Sequence, residues 1–148
     1  MRKSYYLCKS NALRQMQSEF IQYLLSKNLA FQNNVKEQIT FQSEGLNYLF
    51  VYDSSDSNFF RLLLPNIYSI EDNKDKCNEI VNNFNYTYKV VKAIVTPANQ
   101  IWLSVEQFAY SKENIELLFE RCILLLKATI SLIHKTINET IGEGTAKE

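Results

Sequence analysis

The chain has 148 residues, and its 16 Lys and Arg balance its 16 Asp and Glu, so the formal net charge is zero. This balance excludes the basic excess that marks proteins bound to nucleic acid mainly by electrostatics. With 46% apolar and 13% aromatic residues, the composition is too hydrophobic for a disordered chain and predicts one globular domain over residues 1–148. We expect its core within residues 10–141 and a polar tail at 142–148.

The spacing of the cysteines and the lengths of the apolar stretches indicate the cellular compartment. Cys8, Cys77 and Cys122 are far apart and form no C-x-x-C pair, a pattern that fits neither a disulfide framework nor a zinc site. The apolar stretch after the basic N-terminus is too short for a signal peptide. The longest apolar run, residues 122–134, is shorter than the roughly 20 residues of a membrane span. These features predict a cytoplasmic protein that does not associate with membranes.

The first half of the chain predicts one helix followed by three strands. Apolar residues recur at helical spacing over residues 10–30, and the period changes to two at residues 37–43. Residues 46–52 and 59–64 are rich in β-forming side chains, and the polar cluster between them predicts a hairpin loop. Pro65 cannot donate to a ladder, so we expect it to close the third strand.

The next segment predicts a short helix and then a second hairpin. Ser69 followed by Asp72 resembles a helix-start signature, and the apolar positions after it predict an amphipathic helix that ends near Asn83. Residues 86–95 and 101–108 are rich in β-branched and aromatic side chains. The turn between these two strands contains proline at a position that suits a type I turn.

The last predicted element is a long helix. Ser111 is expected to cap it, with Tyr110 and Ile115 packed together as a hydrophobic staple. The apolar stripe continues to about Ile141, and Gly142 is expected to end the helix. The predicted order is therefore α-β-β-β-α-β-β-α, an α+β domain with an antiparallel five-stranded sheet. The strand at residues 46–52 has apolar side chains on both of its faces. We therefore expect other parts of the protein to cover both faces of the sheet.

Candidate catalytic groups lack partners in the sequence. His134 is the single histidine, and no Cys, Asp or Glu lies three or four residues from it to complete a metal site. Cys122 is more than three helical turns from His134, about 18 Å along the axis, too far to form a nucleophile–base pair. Cys77 would reach His134 only through tertiary contacts. We expect all three cysteines to be small buried apolar side chains.

Metal and nucleotide motifs are incomplete. Asp53, Ser55 and Ser57 have the spacing of a calcium loop, but its sixth position is Asn58 and its twelfth is Leu64, which removes both diagnostic residues. A solvated hairpin loop is the better interpretation. Glycine occurs only at positions 45, 142 and 144, so no glycine-rich phosphate loop is present. We therefore expect no cofactor, no metal and no enzymatic activity.

Aromatic side chains suggest a contact surface more than a nucleic-acid platform. Trp102 with Tyr86 and Tyr88 would suit base stacking, but that use requires a basic groove, and only Lys89 and Lys92 lie nearby. We expect no nucleic-acid partner, and we interpret these aromatics as core or interface residues.

Two groups of residues are candidates for a partner or dimer surface. Trp102 and Phe108 share the mixed face of the strand at residues 101–108. Ile123, Leu124 and Ile130 lie outside the main stripe of the last helix, which makes its middle apolar nearly all round. A second chain would bury either group. The alternatives are a covering helix of the same chain and a deeply embedded last helix.

The stretch 58–70, Asn-Phe-Phe-Arg-Leu-Leu-Leu-Pro-Asn-Ile-Tyr-Ser-Ile, resembles the third strand and exit of the YbjN-like domains. Residues 45–51, 90–95 and 101–106 also resemble the hairpins of that family, and the resemblance extends over about residues 10–135. These domains are proposed bacterial sensory transduction regulators with the fold of type III secretion chaperones.

This resemblance implies an intracellular, non-enzymatic binding module that forms a homodimer and binds a protein or peptide. It implies chaperone-like or regulatory activity only by analogy of fold, and it supplies no active-site residue. The alternative function is a small-ligand sensor or an enzyme whose pocket lies between sheet and helix.

Overall fold

The computed structural model describes residues 16–34 and 36–142. Within these ranges the element order is α-β-β-β-β-α-β-β-α. The first helix, α1, occupies residues 16–26 of the described chain. The other elements are β1 (Phe31–Asn34), β2 (Gln38–Ser43), β3 (Leu46–Tyr52), β4 (Phe59–Ser69), α2 (Lys74–Thr87), β5 (Val91–Val95), β6 (Gln100–Phe108) and α3 (Ile115–Gly142).

The strands form one antiparallel sheet in the order β1-β2-β3-β4-β6-β5. The α+β class is confirmed, whereas the predicted five strands and their order are wrong, because β1 adds a sixth strand before β2. Its sequence Phe-Gln-Asn-Asn has little strand character of its own, and it is extended through its pairing with β2, in which Phe31 faces Phe41. Tertiary pairing overrides local propensity here.

Several predicted boundaries also require correction. Pro65 lies inside β4 instead of closing it, and Asn66 follows it with a φ of 54°. A left-handed residue of this kind is typical of a β-bulge, one of the few places where a sheet tolerates proline. The Ser69–Asp72 signature does not start α2, which follows Asn73 at a φ of 60°.

The segment predicted to begin the fourth strand is largely helical. Helix α2 continues through Thr87, four residues beyond its expected end near Asn83, and β5 begins only at Val91. Val90 stands between them with a φ of 69°, which is unusual for a β-branched side chain. The chain therefore leaves the helix by a strained turn that β propensity alone did not indicate.

The ends of α1 and α3 differ from prediction in smaller ways. Helix α1 stops before Lys27, and Asn28, with a φ of 54°, turns the chain so that Leu29 N–H bonds to Leu24 O at 2.9 Å. Ser111 Oγ accepts from Glu113 N–H at 3.1 Å but precedes the start of α3 at Ile115. Tyr110 is 78% exposed and Ile115 is buried, and their packing as a staple stays a prediction. The predicted start of the first helix, Cys8 and the tail beyond Gly142 lie outside the described residues.

Contacts divide the chain into two compact units, and each is described by itself. The first contains the described residues up to Leu62 together with Glu106–Cys122, and the second contains Leu63–Val105 and the residues from Ile123 onward. Strands β4 and β6 and helix α3 contribute to both units. The assignment of a single domain stays a prediction.

Aromatic rings fill the core of the first unit. Phe20 of α1 stacks on Phe50 of β3 with ring centroids 3.8 Å apart, and it meets Phe119 of α3 edge-on at 4.9 Å. Phe60 of β4 lies 5.4 Å from Phe50 and 5.3 Å from Phe119. These four rings are fully buried, so α1 and the beginning of α3 cover one face of the strands in this unit.

In the second unit the buried positions follow the strand and helix periods. Val91 and Ala93 alternate with exposed residues in β5, and Ile101 and Leu103 are buried at alternate positions of β6. Helix α2 buries one face, made of Cys77, Ile80, Val81 and Phe84. No helix in the described ranges has both the length and the apolar character needed to cross a bilayer.

Candidate protein-binding surface

Three aromatic side chains lie side by side at the surface of the first unit, and we call them the aromatic strip: Phe59, Phe108 and Tyr110. The ring centroids of Phe59 and Phe108 are 5.5 Å apart, and those of Phe108 and Tyr110 are 5.8 Å apart with nearly parallel planes. Phe108 is 54% exposed and Tyr110 is 78% exposed. Such exposure of two adjacent large aromatics is the surface feature most typical of a protein contact.

Strand alternation places the strip. Phe60 and Leu62 of β4 are buried in the core, so Phe59 and Arg61 point to the opposite face. In β6, Glu106 and Phe108 occupy alternate positions and point to the same face as each other. Ala109 N–H bonds to Asn58 O at 2.7 Å, which holds the end of β6 against the beginning of β4. Phe59 and Phe108 are therefore mounted on paired strands, and Tyr110 follows directly after β6.

A charged pair accompanies the strip. Arg61 Nη2 lies 2.5 Å from Glu106 Oε1, and the two side chains are 42% and 50% exposed. A pair this exposed contributes little to stability, because water screens the attraction and both long side chains lose freedom. The pair instead sets the local surface chemistry. Strand β4 presents Phe59 and Arg61 on one face, and β6 presents Phe108 and Glu106.

Trp102 belongs to the second unit and is partly covered by its own chain. Its indole Nε1–H donates to Asn66 Oδ1 at 2.9 Å, and its side chain is half-buried. Ile94, which lies opposite it in the ladder between β5 and β6, is 40% exposed. Asn66 of β4 thus satisfies the polar end of the indole.

The three candidate residues of α3 have different environments. Ile123 is buried with 8% exposure, Leu124 is 58% exposed, and Ile130 is half-buried. Of the five residues predicted for a partner surface, Phe108 and Leu124 are the ones that stand open in the described structure. Phe59 and Tyr110 were missed as surface candidates, although alternation with the buried Phe60 was a usable signal for Phe59.

His134 bonds to the backbone, and Cys77 and Cys122 are buried. His134 Nε2 lies 2.6 Å from Ile67 O, and because a carbonyl oxygen only accepts, this nitrogen carries the proton. Burial raises the pKa of the Cys77 thiol, and it raises the pKa of Cys122 to about 11 despite the opposing charge of Arg121. Neither thiol has the low pKa of a nucleophile.

The loop at residues 53–57 is a set of side chain-to-backbone turns. Asp53 Oδ1 accepts from the hydroxyl of Ser55 at 2.6 Å and from its backbone N–H at 2.7 Å. The Ser55 hydroxyl and then its backbone N–H lower the pKa of this carboxyl group. In residues 16–34 and 36–142, no three or more His, Cys, Asp or Glu side chains are grouped so that they could hold a metal ion.

A cleft of about 490 Å³ lies in the first unit, bordered by residues of α1 and of the beginning of α3. Four of its charged side chains form two ion pairs: Lys27 Nζ is 3.2 Å from Glu120 Oε1, and Lys112 Nζ is 3.4 Å from Glu19 Oε1. The volume falls within the range of small-molecule sites.

Comparisons with known proteins identify a fold. No protein-family model matches this chain, and no curated protein matches its sequence. The chain is similar to the crystal structure of YbjN from E. coli, described as "a putative transcription regulator", with a TM-score of 0.54 and 14% identity over 84% of this chain and 92% of that one. At this identity the likeness shows a YbjN-like fold and carries no function with it.

Proposed function

We propose that this chain is a non-enzymatic, cytoplasmic protein-binding module with a regulatory or chaperone-like role. The observation that carries the proposal is the aromatic strip, in which Phe108 at the end of β6 is 54% exposed and Tyr110, two residues further on, is 78% exposed. Similarity of fold to a protein described as a transcription regulator is compatible with this role and is an analogy only.

The energetics of protein contacts favour the strip as the centre of an interface. Tyr and Phe are enriched at interface cores, and the residues whose truncation costs most are commonly large aromatics and arginine. Arg61 and Glu106 lie two strand positions from Phe59 and Phe108 and form an ion pair, so a partner would meet apolar rings with charged groups beside them. Strands β4 and β6 already hold Phe59 and Phe108, which reduces the ordering cost of binding.

The test is a quantitative pull-down from the native lysate with wild-type protein and a Phe108→Ala/Tyr110→Ala double variant. We expect the double variant to lose most of the partner that the wild type retains, because truncating an interface aromatic commonly costs about 2 kcal/mol or more. Leu25→Ala is the control, since Leu25 is 63% exposed in the same unit but lies on α1. Equal recovery of every partner by all three proteins would contradict the proposal.

Homodimer formation is the second part of the proposal. Leu124 is 58% exposed on α3, and Ile130 is half-buried. A second chain that packs on α3 would bury both side chains fully. Burying a leucine or isoleucine side chain is worth roughly 1.5–3 kcal/mol, which favours association through α3. The alternative dimer surfaces are the exposed sheet positions, Phe108 in the first unit and Trp102 in the second.

Sedimentation of a Leu124→Glu/Ile130→Glu variant distinguishes these surfaces. If α3 is the interface, this variant is a folded monomer while the wild type is a dimer. Ile123→Glu is the contrasting control, since Ile123 is buried and a carboxylate there should unfold the protein. A wild-type protein that stays monomeric at high micromolar concentration removes the dimer proposal altogether.

The cleft of about 490 Å³ keeps a small-ligand sensor, or an enzyme, as the alternative function. A ligand that binds the folded state at a hundred times its dissociation constant adds about 2.7 kcal/mol of stability. Thermal melts of the wild type and of Glu116→Gln, in the cleft wall, against a panel of metabolites would detect such a ligand. A melting shift in the wild type that Glu116→Gln abolishes would favour this alternative.

A further inference from the structure

Strand β5 forms one edge of the sheet and pairs with β6 on its other side. In an antiparallel pair, alternate residues direct both backbone groups toward the neighbouring strand, while the residues between them direct both groups away. The groups that point away from the sheet are a ready template for another strand. In β5 three of these outward groups, the N–H and C=O of Ala93 and the N–H of Val91, are already bonded within the same chain.

The side chain of Asn85 in α2 occupies the outward groups of Ala93. Ala93 N–H donates to Asn85 Oδ1 at 2.8 Å, and Asn85 Nδ2 donates to Ala93 O at 3.0 Å. A carboxamide has one acceptor oxygen and a donor nitrogen, like a peptide group, so this side chain makes the two bonds that a neighbouring strand would make. Asn85 therefore acts as a one-residue substitute for a strand.

Neighbouring contacts keep this substitute in place. Lys92 Nζ donates to Asn85 O at 3.0 Å and to Tyr88 O at 3.3 Å, which ties β5 to the end of α2. Val91 N–H, one alternate position before Ala93, bonds to Lys89 O at 2.8 Å. Three outward backbone groups of β5 are thus satisfied without a second chain.

The strand that Asn85 guards is well suited to pairing with itself. Its sequence, Val-Lys-Ala-Ile-Val, is rich in β-branched residues, and Ile94 is 40% exposed on it. An antiparallel pair centred on Ala93 would be two-fold symmetric and would set Lys92 of one copy opposite Ile94 of the other. This register avoids placing the two lysines against each other.

We propose that Asn85 is an edge guard, which prevents β5 from pairing with β5 of a second copy of this chain. This assembly is distinct from the homodimer proposed above, which uses α3 or the exposed sheet positions. The guard does not depend on the proposed function, because it concerns backbone groups and not the aromatic strip.

The test compares Asn85→Ala with the wild type and with Asn83→Ala, which removes an equal side chain from an exposed position of the same helix. Sedimentation velocity over increasing protein concentration should show a species of higher mass for Asn85→Ala alone. Asn83→Ala should sediment as the wild type does. If Asn85→Ala is folded by circular dichroism and sediments as the wild type at every concentration, the proposal is overturned.

Charge substitutions at Ile94 in the Asn85→Ala background test the register. Ile94→Glu would face Lys92 of the other copy and should strengthen the assembly, whereas Ile94→Lys should weaken it. Each directly opposed charge pair changes the association constant by roughly two- to fivefold, and the symmetry applies this change twice. Equal effects of the two substitutions would show non-specific aggregation and overturn the proposed pairing.

Asn85→Asp provides a second route if Asn85→Ala does not fold. Aspartate keeps the acceptor for Ala93 N–H and loses the donor to Ala93 O, so it opens half of the guarded edge. Hydrogen exchange at the Ala93 amide should remain slow in the wild type and in Asn85→Asp. Fast exchange at this amide in the folded wild type would show that the guard is not in place and would refute the proposal.

Discussion

Replacing Phe119 by alanine should be among the most damaging single changes in the first unit. Phe119 is fully buried, and its ring centroid lies within 6 Å of those of four other aromatic side chains: Phe20 at 4.9 Å, Tyr23 at 5.7 Å, Phe50 at 5.8 Å and Phe60 at 5.3 Å. Truncating a buried phenylalanine costs about 3–5 kcal/mol, because transfer energy is lost and a cavity remains. Since small domains are stable by about 5–15 kcal/mol, this one change removes a large fraction of the total.

Urea unfolding followed by circular dichroism measures the loss, with Leu117→Ala as the control. Leu117 is two residues away on α3 but 62% exposed, so its truncation should change the free energy of unfolding by no more than about 0.5 kcal/mol. A double-mutant cycle between Phe119 and Phe20 should reveal a coupling of about 0.5–1.5 kcal/mol from their edge-on contact. A loss below about 1 kcal/mol for Phe119→Ala would refute the packing described for this core.

Three further predictions concern ionisation, thiol reactivity and ligands. Burial, reinforced by two nearby glutamates, raises the pKa of Tyr23 to about 12 from its ordinary value of about 10. The neutral phenol therefore stabilises the fold fully below pH 10, and this contribution is lost as the pH rises toward 12. Between pH 10 and pH 12, the urea midpoint of Tyr23→Phe should fall less than that of the wild type. In a Cys8→Ser background, Cys77 and Cys122 should resist a thiol reagent until urea unfolds the chain, and rapid labelling of the folded protein would contradict their burial. Melting curves with zinc, magnesium, calcium or nucleotide should superimpose on the ligand-free curve, and a reproducible rise with any one of them would disprove this expectation.

The local sequence determined the elements that have a strong apolar periodicity and are followed by residues that favour turns. The second hairpin is an example: strands β5 and β6 are joined by a turn in which Thr96 N–H bonds to Gln100 O at 2.8 Å and Asn99 adopts a φ of 56°. The early hairpin between β2 and β3 likewise turns at Glu44 and Gly45, both left-handed, as a two-residue turn requires. The apolar stripe of α3 predicted that helix to within a few residues of its observed ends.

The sequence named five candidate surface residues, but it did not separate those that are exposed from those that are buried. Leu124 and Ile123 are adjacent apolar residues on one helix, yet one is 58% exposed and the other 8%. Trp102 is distinguished from Phe108 by its hydrogen bond to Asn66, a residue 36 positions away. Exposure depends on what packs against each side chain, and the periodicity of a single element does not contain that information.

Only the tertiary structure decided the elements that depend on distant partners. The polar segment Phe31–Asn34 is a strand because β2 pairs with it, and Pro65 lies within β4, where the left-handed Asn66 follows it. Residues 86 and 87 have strand propensity but continue α2, so that Asn85 can reach the backbone of Ala93. In the first case backbone pairing outweighs local preferences, which differ by only about 1 kcal/mol per residue, and in the last case bonds between the Asn85 side chain and the Ala93 backbone do so.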